Sequence, residues 1–338
     1  MNFKKLKKPY IVAEIGINHE GNYQTAKKLI FEAKKAGADA VKFQVFKPST
    51  LATKKSKKTK FQKKTAGKED LTSIWKRVCL SFSSLKKLKS YSKKIKIDFI
   101  CTPFDFDSLK LVSKLNLSAI KIASSDITDY PLIKEISKKN KPIILSTGMS
   151  NSLEIIKALK VLKSRNVAIL HCVSMYPCKF DNANLNRILS LRAKFKNYII
   201  GYSDHCKSFE ASLFALNLGA MIIEKHFTLN KNRIGLDHSL SADPSDLKVI
   251  CDYARSIKIL PGKNNINVSQ YERKFTKFFR KGIYSTKDLK KNHIIKKKDI
   301  IIRRPQNKIK PEMYYKIIGK KVKKLIYSDE SINLRKLY

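Results

Sequence analysis

The sequence predicts an α/β fold, a closed parallel (β/α)8 barrel of the TIM type, followed by a small β-rich domain. Three observations predict it. Eight short β-branched runs, each ending in polar groups and each followed by a stretch able to form a helix, recur within about 260 residues. An apolar content of 43% over 338 residues allows one large domain and a small one. Composition then breaks after the eighth repeat, at Pro261-Gly262. An open doubly wound sheet of the same length is the alternative.

The runs lie at 10–19 (YIVAEIGINH), 40–44 (AVKFQ), 97–104 (IDFICTPF), 119–124 (AIKIAS), 142–148 (PIILSTG), 167–174 (VAILHCVS), 198–205 (YIIGYSDH) and 221–227 (MIIEKHF). Segments such as YQTAKKLIFEAKKAG and SLEIIKALKVLKS can form the intervening helices. Capping residues near 128–131 and 150–152 mark helix starts, and Gly37 and Gly219 mark helix ends. The basic, polar segment from Pro48 to Lys76 is too long for an ordinary βα connection, so it is an ordered excursion, a lid or a mobile loop near the site. The domain reading is a barrel over 1–262, a polar, weakly periodic linker over 263–279 and a small domain over 280–338. So small a unit buries little surface alone and should lean on the barrel or on a partner subunit.

Composition narrows the function. The chain has 72 Lys+Arg against 27 Asp+Glu, a formal charge of +45. Such an excess attracts phosphates, nucleic acid and anionic lipid without selectivity. It is mostly lysine spread along the chain, without the arginines and interleaved aromatics that base reading and stacking need, so no specific nucleic-acid partner is expected. No apolar stretch reaches about 18 residues, so no membrane span is expected. Glu14 interrupts the apolar run after the basic start, which fails as an export signal and predicts a cytoplasmic protein. The six cysteines form no CxxC pair and read as small buried hydrophobes in a reducing compartment.

In a parallel barrel the carboxyl ends of all strands face one mouth. The polar strand ends then become one set: Glu14, Asn18, His19, Lys42, Gln44, Thr102, Lys121, Ser124, Ser125, Ser146, Thr147, His171, Ser174, Tyr176, Ser203, Asp204, His205, Glu224 and His226. A packed core needs no such set, whereas a small, charged, oxygen-rich ligand does. Lys42 and Lys121 lie inside apolar runs, and burying an ammonium is costly, so they imply an anionic ligand or paired carboxylates. Outward snorkelling is the plain alternative. With Thr102, Ser124, Ser146 and Ser203 as hydroxyl donors, the lysines suit a phosphate plus a carboxylate. His205 and His226 end adjacent strands and, with carboxylate or substrate oxygens and water, can share a divalent Mn or Mg-like ion. His19 and His171 are further contacts to consider. Glu14 and Glu224 can move a proton, tune a metal-bound water or neutralise the lysines. Asp237, after the eighth strand, can grip a sugar hydroxyl or shape a turn.

These pieces suit an enol phosphate reacting with an aldehyde. The ion would polarise the carbonyl, and the lysines would hold phosphate and carboxylate as the double bond attacks. Glu14 or Glu224 would activate the water that adds before phosphate leaves.

The stretches AEIGINHEGN, GADAVKFQ, TPFD, IKIASSDITDYPLI, PIILSTGMS, ILHCVSMYP, GYSDH, IEKHFTL and GLDHSLS occur in this order across almost the whole barrel. Together they resemble the sialic acid synthase family, the phosphoenolpyruvate-condensing enzymes that make N-acetylneuraminate and related nonulosonates such as legionaminate. The tail from about Arg280, with RRP at 303–305, resembles that family's antifreeze-like, or SAF, domain. The resemblance implies metal-dependent condensation of phosphoenolpyruvate with an N-acylmannosamine-type aldose, giving a nonulosonic acid and phosphate. It implies phosphoenolpyruvate contacts at Lys42, Thr102, Lys121, Ser124, Ser146, Ser174 and Ser203, and a metal, Mn2+ first and Mg2+ second, at His205 and His226. Glu14 and Glu224 match the essential acids, and Gln44, Tyr176 and Asp237 match residues around the sugar. A homodimer is also implied, in which the small domain covers the other subunit's site and Arg304, or its neighbour Arg303, meets the N-acyl group.

Three departures stand out. Ser174 occupies a position where a bacterial N-acetylneuraminate synthase can carry asparagine, Cys206 replaces the usual threonine after GYSDH, and GINH in place of SANH argues against the pseudaminic acid branch. N-acetylmannosamine and a 2,4-diacylamino-6-deoxy sugar both stay open as acceptor. Two other accounts compete: another phosphoenolpyruvate-dependent keto-deoxy sugar acid synthase, and a basic nucleic-acid-binding barrel protein.

Overall fold

Strand alternation at period two decides what enters this barrel and what packs outside it. The computed structural model describes residues 2–51, 53, 55–65, 68–164 and 166–338. Ala52, Lys54, Ala66 and Gly67, part of the 48–76 segment read above as an excursion, lie outside the described residues. Eight parallel strands close in chain order: β1 (Tyr10–Gly16), β2 (Ala40–Val45), β3 (Asp98–Pro103), β4 (Ala119–Ile122), β5 (Ile143–Ser146), β6 (Val167–Cys172), β7 (Ile199–Asp204) and β8 (Ile222–His226). β8 pairs back onto β1, so the expected (β/α)8 barrel is formed and the open sheet is not. Several runs outlast their strands, because their last polar residues leave the ladder and enter the loops.

Inside, Tyr10, Val12, Ala40, Ile100, Ala119, Ile144, Ala168, Leu170 and Ile222 make an apolar floor, joined by Phe3 of the N-terminal turn. The alternate set, with Ile11, Ala13, Val41, Phe43, Phe99 and Ile120, packs in the larger core shared with the helices. Two residues further along the inward register the floor gives way to polar side chains. Glu14 pairs across with Lys42, Gln44 with Thr102, and Ser203 with Glu224.

The helices start and stop on the expected chemistry. Asn22 caps Tyr23–Ala36, which ends on Gly37 at φ 101°. Asp129 caps Tyr130–Ser137, and Asn151 with Glu154 forms a reciprocal cap on Ser152–Leu162. The excursion contains short helices Pro48–Leu51, Lys60–Thr65 and Leu71–Val78, the last seated through Ile74 and Val78 on Ile17, Phe46 and Leu236. Among the described residues no helix is long and apolar enough to cross a membrane.

Lys263–Tyr338 is a compact unit of its own. Its core of Ile283, Leu289, Ile295, Ile300, Ile317, Val322, Ile326 and Ile332 surrounds the antiparallel pair β9 (Gly282–Ser285) and β10 (Ile300–Arg303). The connector read as weakly periodic contains a helix, Gln270–Phe279, because Ser269 caps it and the rings of Tyr271, Phe275 and Phe279 meet at a spacing of four.

Gly201, on β7, sits where two neighbouring strands leave no room for a side chain. A Cβ there would sit 2.4 Å from the Ile222 carbonyl oxygen and 2.5 Å from Leu170 Cδ2. Gly201→Ala is expected to destabilise the barrel by about 1–3 kcal/mol, read as a lower denaturant midpoint with an unchanged slope.

Candidate active site

The polar layer above the floor is held together by its own charges. Lys42 Nζ lies 3.0 Å from Glu14 Oε2 and 3.5 Å from Glu224 Oε1, and donates to Thr102 Oγ1 at 3.3 Å. Lys121 Nζ donates to Glu224 Oε1 at 3.1 Å, and Ser203 Oγ donates to the same oxygen at 3.0 Å. Gln44 Nε2 donates to Glu14 Oε1 at 3.0 Å. The four charged side chains are at most 5% exposed, so the lysines do not snorkel but meet carboxylates.

The two acids are pushed apart. Burial raises the Glu14 carboxyl above its ordinary value, since Lys42 offsets only part of that effect and the Glu224 charge adds to it. Burial acts on Glu224 in the same sense, but Lys121 and Lys42 outweigh it and hold this carboxyl down at about 2.

Hydroxyls occupy the β4 to β6 side. Ser124 Oγ accepts from the Gly148 N–H at 2.9 Å. Ser146 Oγ and Ser174 Oγ are buried without a hydrogen-bond partner among the described residues. A Cβ on Gly148 would come within 2.4 Å of Ser174 Oγ and 2.9 Å of Ser124 Oγ, so only glycine lets the backbone close on these groups. Buried hydroxyls on a cavity wall that find no partner among the described residues call for one from outside them, a water or a ligand oxygen.

His205 and His226 stand with ring centroids 5.5 Å apart, and the Tyr176 ring lies 4.1 Å from that of His205. His205 Nδ1 donates to the Val173 carbonyl at 2.7 Å, so in the neutral ring Nε2 would carry the lone pair, although burial is outweighed by Cys172 and the Val173 carbonyl, which raise the pKa of this imidazole. Burial, with the His205 charge beside it, keeps His226 neutral; its Nδ1 has no hydrogen-bond partner among the described residues and is 3.6 Å from the Asp237 carboxyl. Burial and the Glu14 charge lift Asp237 to about 7. Two imidazoles with free ring nitrogens beside carboxylates are a donor set that fits a divalent ion.

These groups share one cavity of about 640 Å3, lined by Glu14, Lys42, Gln44, Thr102, Lys121, Ser124, Ser125, Ser146, Ser174, Tyr176, Ser203, His205, Glu224, His226 and Asp237. Arg304 belongs to the Lys263–Tyr338 unit, where its guanidinium lies over the Phe279 ring at 5.6 Å, while Arg303 pairs with Asp329.

Five residues placed at the mouth from sequence are instead tied down elsewhere. Asn18 donates to the Phe227 carbonyl and Ser241, Thr147 to the Leu170 carbonyl, and His171 Nε2 to the Ala183 carbonyl. His19 accepts from the Gly21 N–H and stacks on Phe43. Asp204 pairs with Lys225 at 3.3 Å and accepts from Ser212, a buried pair beneath helix Glu210–Asn217. Alternation explains His171 and Asp204, since their neighbours Cys172 and Ser203 are the ones that face the cavity. Cys172, Phe61, Gln62, Trp75, Phe104 and Leu236 also line the cavity without having been picked out from sequence.

Residues 29–265 match the NeuB family and residues 280–337 the SAF domain. The chain is 41% identical over 333 residues to an N,N'-diacetyllegionaminic acid synthase of Campylobacter jejuni, covering 97% of this chain and 99% of that protein. A protein of the same name from Legionella pneumophila is 34% identical over 321 residues, covering 93% and 90%. Among solved structures, an N-acetylneuraminic acid (sialic acid) synthetase from Leptospira borgpetersenii, in complex with citrate, aligns at a TM-score of 0.68 with 31% identity, over 79% of this chain and 90% of that one. With a barrel of this register, a polar mouth and likeness along nearly its full length, the chain belongs to the NeuB family and carries a C-terminal SAF domain.

Proposed function

We propose that this chain, a carbon–carbon bond-forming synthase, condenses phosphoenolpyruvate with an unphosphorylated N-acylated amino aldose to give a nonulosonic acid and phosphate. The observation that carries the reading is the buried Lys42, Glu14, Glu224 and Lys121 cluster, in one cavity with the unmet hydroxyls of Ser146 and Ser174 and two imidazoles. Phosphoenolpyruvate brings one phosphate and one carboxylate. Lys42 and Lys121 supply charge to them, and Thr102, Ser124, Ser146, Ser174 and Ser203 supply hydroxyls.

A divalent ion held by His205 and His226, Mn2+ ahead of Mg2+, supplies Lewis-acid polarisation of the acceptor's aldehyde oxygen when bound. Gln44, Tyr176 and Asp237 orient the aldose, bringing its carbonyl carbon to the methylene carbon of phosphoenolpyruvate. The double-bond electrons form the new bond and the aldehyde oxygen takes a proton. Water adds to the carbon that bears phosphate, giving up one proton that balances the one taken by the aldehyde oxygen; the bond from that carbon to the phosphate oxygen then breaks, the remaining hydroxyl proton leaves with phosphate, and the keto acid is left. Glu14, raised by burial, takes the proton of that water; Glu224, locked anionic between two lysines, remains a fixed counter-charge. Two relatives named for N,N'-diacetyllegionaminic acid favour a 2,4-diacylamino-6-deoxy acceptor over N-acetylmannosamine. A cytoplasmic homodimer in which Arg304 of one copy meets the acyl group bound by the other belongs to the same proposal, tested by mass in solution.

Incubation with phosphoenolpyruvate, Mn2+ and each acceptor separately is expected to release phosphate and yield a product heavier than the acceptor by one pyruvate. Failure with every unphosphorylated acceptor overturns the acceptor assignment. Chelation, or His205→Ala, is expected to slow phosphate release by about a hundredfold. A variant that keeps full activity would remove the metal from the proposal.

Lys121→Met separates charge pairing from stability. Because the folded value of Glu224 is depressed to about 2, its stabilising contribution is present above the ordinary carboxylate range and is lost as pH falls toward that value. The variant is expected to lose about 3–5 kcal/mol at pH 7, with the gap to the parent protein narrowing on acidification. Denaturant melts of both proteins at pH 7 and pH 3 check this; a gap that holds constant with pH would show that Lys121 acts through packing.

A further inference from the structure

The cavity has a wall that the reaction above leaves unused. Ile17, Trp75, Phe104 and Leu236 line it, together with Phe61 from the Lys60–Thr65 helix. Ile17, Trp75 and Phe104 follow β1, β2 and β3, across the mouth from Ser124 after β4, Ser146 at the end of β5 and Ser174 after β6. The wall continues a satellite core containing Phe46, Ile74 and Val78, where Trp75 meets the Phe46 ring edge-on at 5.5 Å. Within these apolar surroundings the Trp75 indole Nε1 is buried and has no hydrogen-bond partner among the described residues.

An indole N–H can only donate, and a buried donor left unmet is costly enough that it calls for an acceptor. Thr59, Lys60 and Gln62 flank Phe61 on the same lining, but the Trp75 N–H itself is a single neutral donor set among Ile17, Phe104 and Leu236, and it serves phosphate or carboxylate less well than the buried lysines across the mouth. It complements an amide. The carbonyl oxygen accepts from the N–H, and the methyl group fills the apolar space.

We infer that Trp75, Phe61, Phe104, Ile17 and Leu236 form a subsite for an acylamino group on the part of the acceptor remote from phosphoenolpyruvate. The inference rests on the function proposed above, in which a diacylamino aldose carries such a group and N-acetylmannosamine lacks it. Trp75 is then the residue that sets acceptor specificity, touching substrate away from the reacting atoms. The Leu71–Val78 helix, seated through Ile74 and Val78, holds this ring at the mouth.

Trp75 is the single tryptophan of the chain, so its emission reports on this wall alone. Full-length protein with Mn2+ is titrated with 2,4-diacetamido-6-deoxy hexose, and a saturable change in emission is expected, with none from N-acetylmannosamine. Trp75→Phe keeps an aromatic ring and removes the N–H; it is expected to raise KM for the diacylamino sugar by about tenfold while KM for phosphoenolpyruvate stays within about twofold. Phe61→Ala, on a separate short helix, is expected to move the same KM and replaces Trp75→Phe should that variant melt early. Parallel rises in KM for both substrates, no rise at all, or an emission response to phosphoenolpyruvate and not to the sugar would each overturn the subsite. If neither acceptor releases phosphate, the function proposed above falls, and the emission titration still decides whether the wall takes the diacylamino sugar.

Discussion

The mouth of this barrel depends on four buried charges at the ends of β1, β2, β4 and β8. Taking an ion out of water costs several kcal/mol even after the protein relaxes, and only close, hydrogen-bonded partners offset it. Lys42 bridges Glu14 and Glu224, Lys121 meets Glu224 from β4, and the set is neutral when all four are charged. Apolar residues of the same size would often make such a core more stable. The cluster therefore makes sense through what it binds. Its unfinished valences agree: one Glu224 oxygen and two serine hydroxyls are buried without a hydrogen-bond partner among the described residues.

Much of this was legible in sequence, because a lysine or glutamate inside an apolar run of period two has to enter the barrel or leave it. For Lys42, Lys121, Glu14 and Glu224 the neighbours at two residues' distance, Ala40, Ala119, Val12 and Ile222, are floor residues, and the inward side followed from the run itself. The same rule was available for His171 and Asp204 and excludes them. Counting every polar residue at a run's end as part of the mouth overrode it. His205 shows why run ends mislead in both directions: it follows the outward Asp204, yet the chain has already left β7 and the ring returns to the cavity.

Other features were invisible for a different reason. Lys225 looks like one more solvated lysine in a chain full of them, and nothing local says that Asp204, on the next strand, will bury with it. Which carboxylate stays ionised between Glu14 and Glu224 likewise depends on a third strand, since Lys121 reaches only one of them. In the excursion the basic run KKSKKTK gives no hint of Trp75 further on, whose placement depends on packing with Ile17, Phe46 and Leu236, which follow β1, β2 and β8. Composition reports a segment's average, whereas a site uses individual side chains.

The surplus of +45 and the balanced cluster act at different ranges. Surface lysines set a field that falls off over about 8 Å at physiological ionic strength, so they raise the local concentration of an anionic substrate and do so less as salt rises. Inside the mouth the charges are paired and shielded from salt, and under the proposed function a phosphate or carboxylate would enter by taking over hydrogen bonds that Lys42 and Lys121 now give to Glu14, Glu224 and Thr102. Attraction at a distance is thus indifferent to which anion arrives. Selection falls to the pocket, where an anion that cannot also satisfy Ser146 and Ser174 would break buried ion pairs without replacing them.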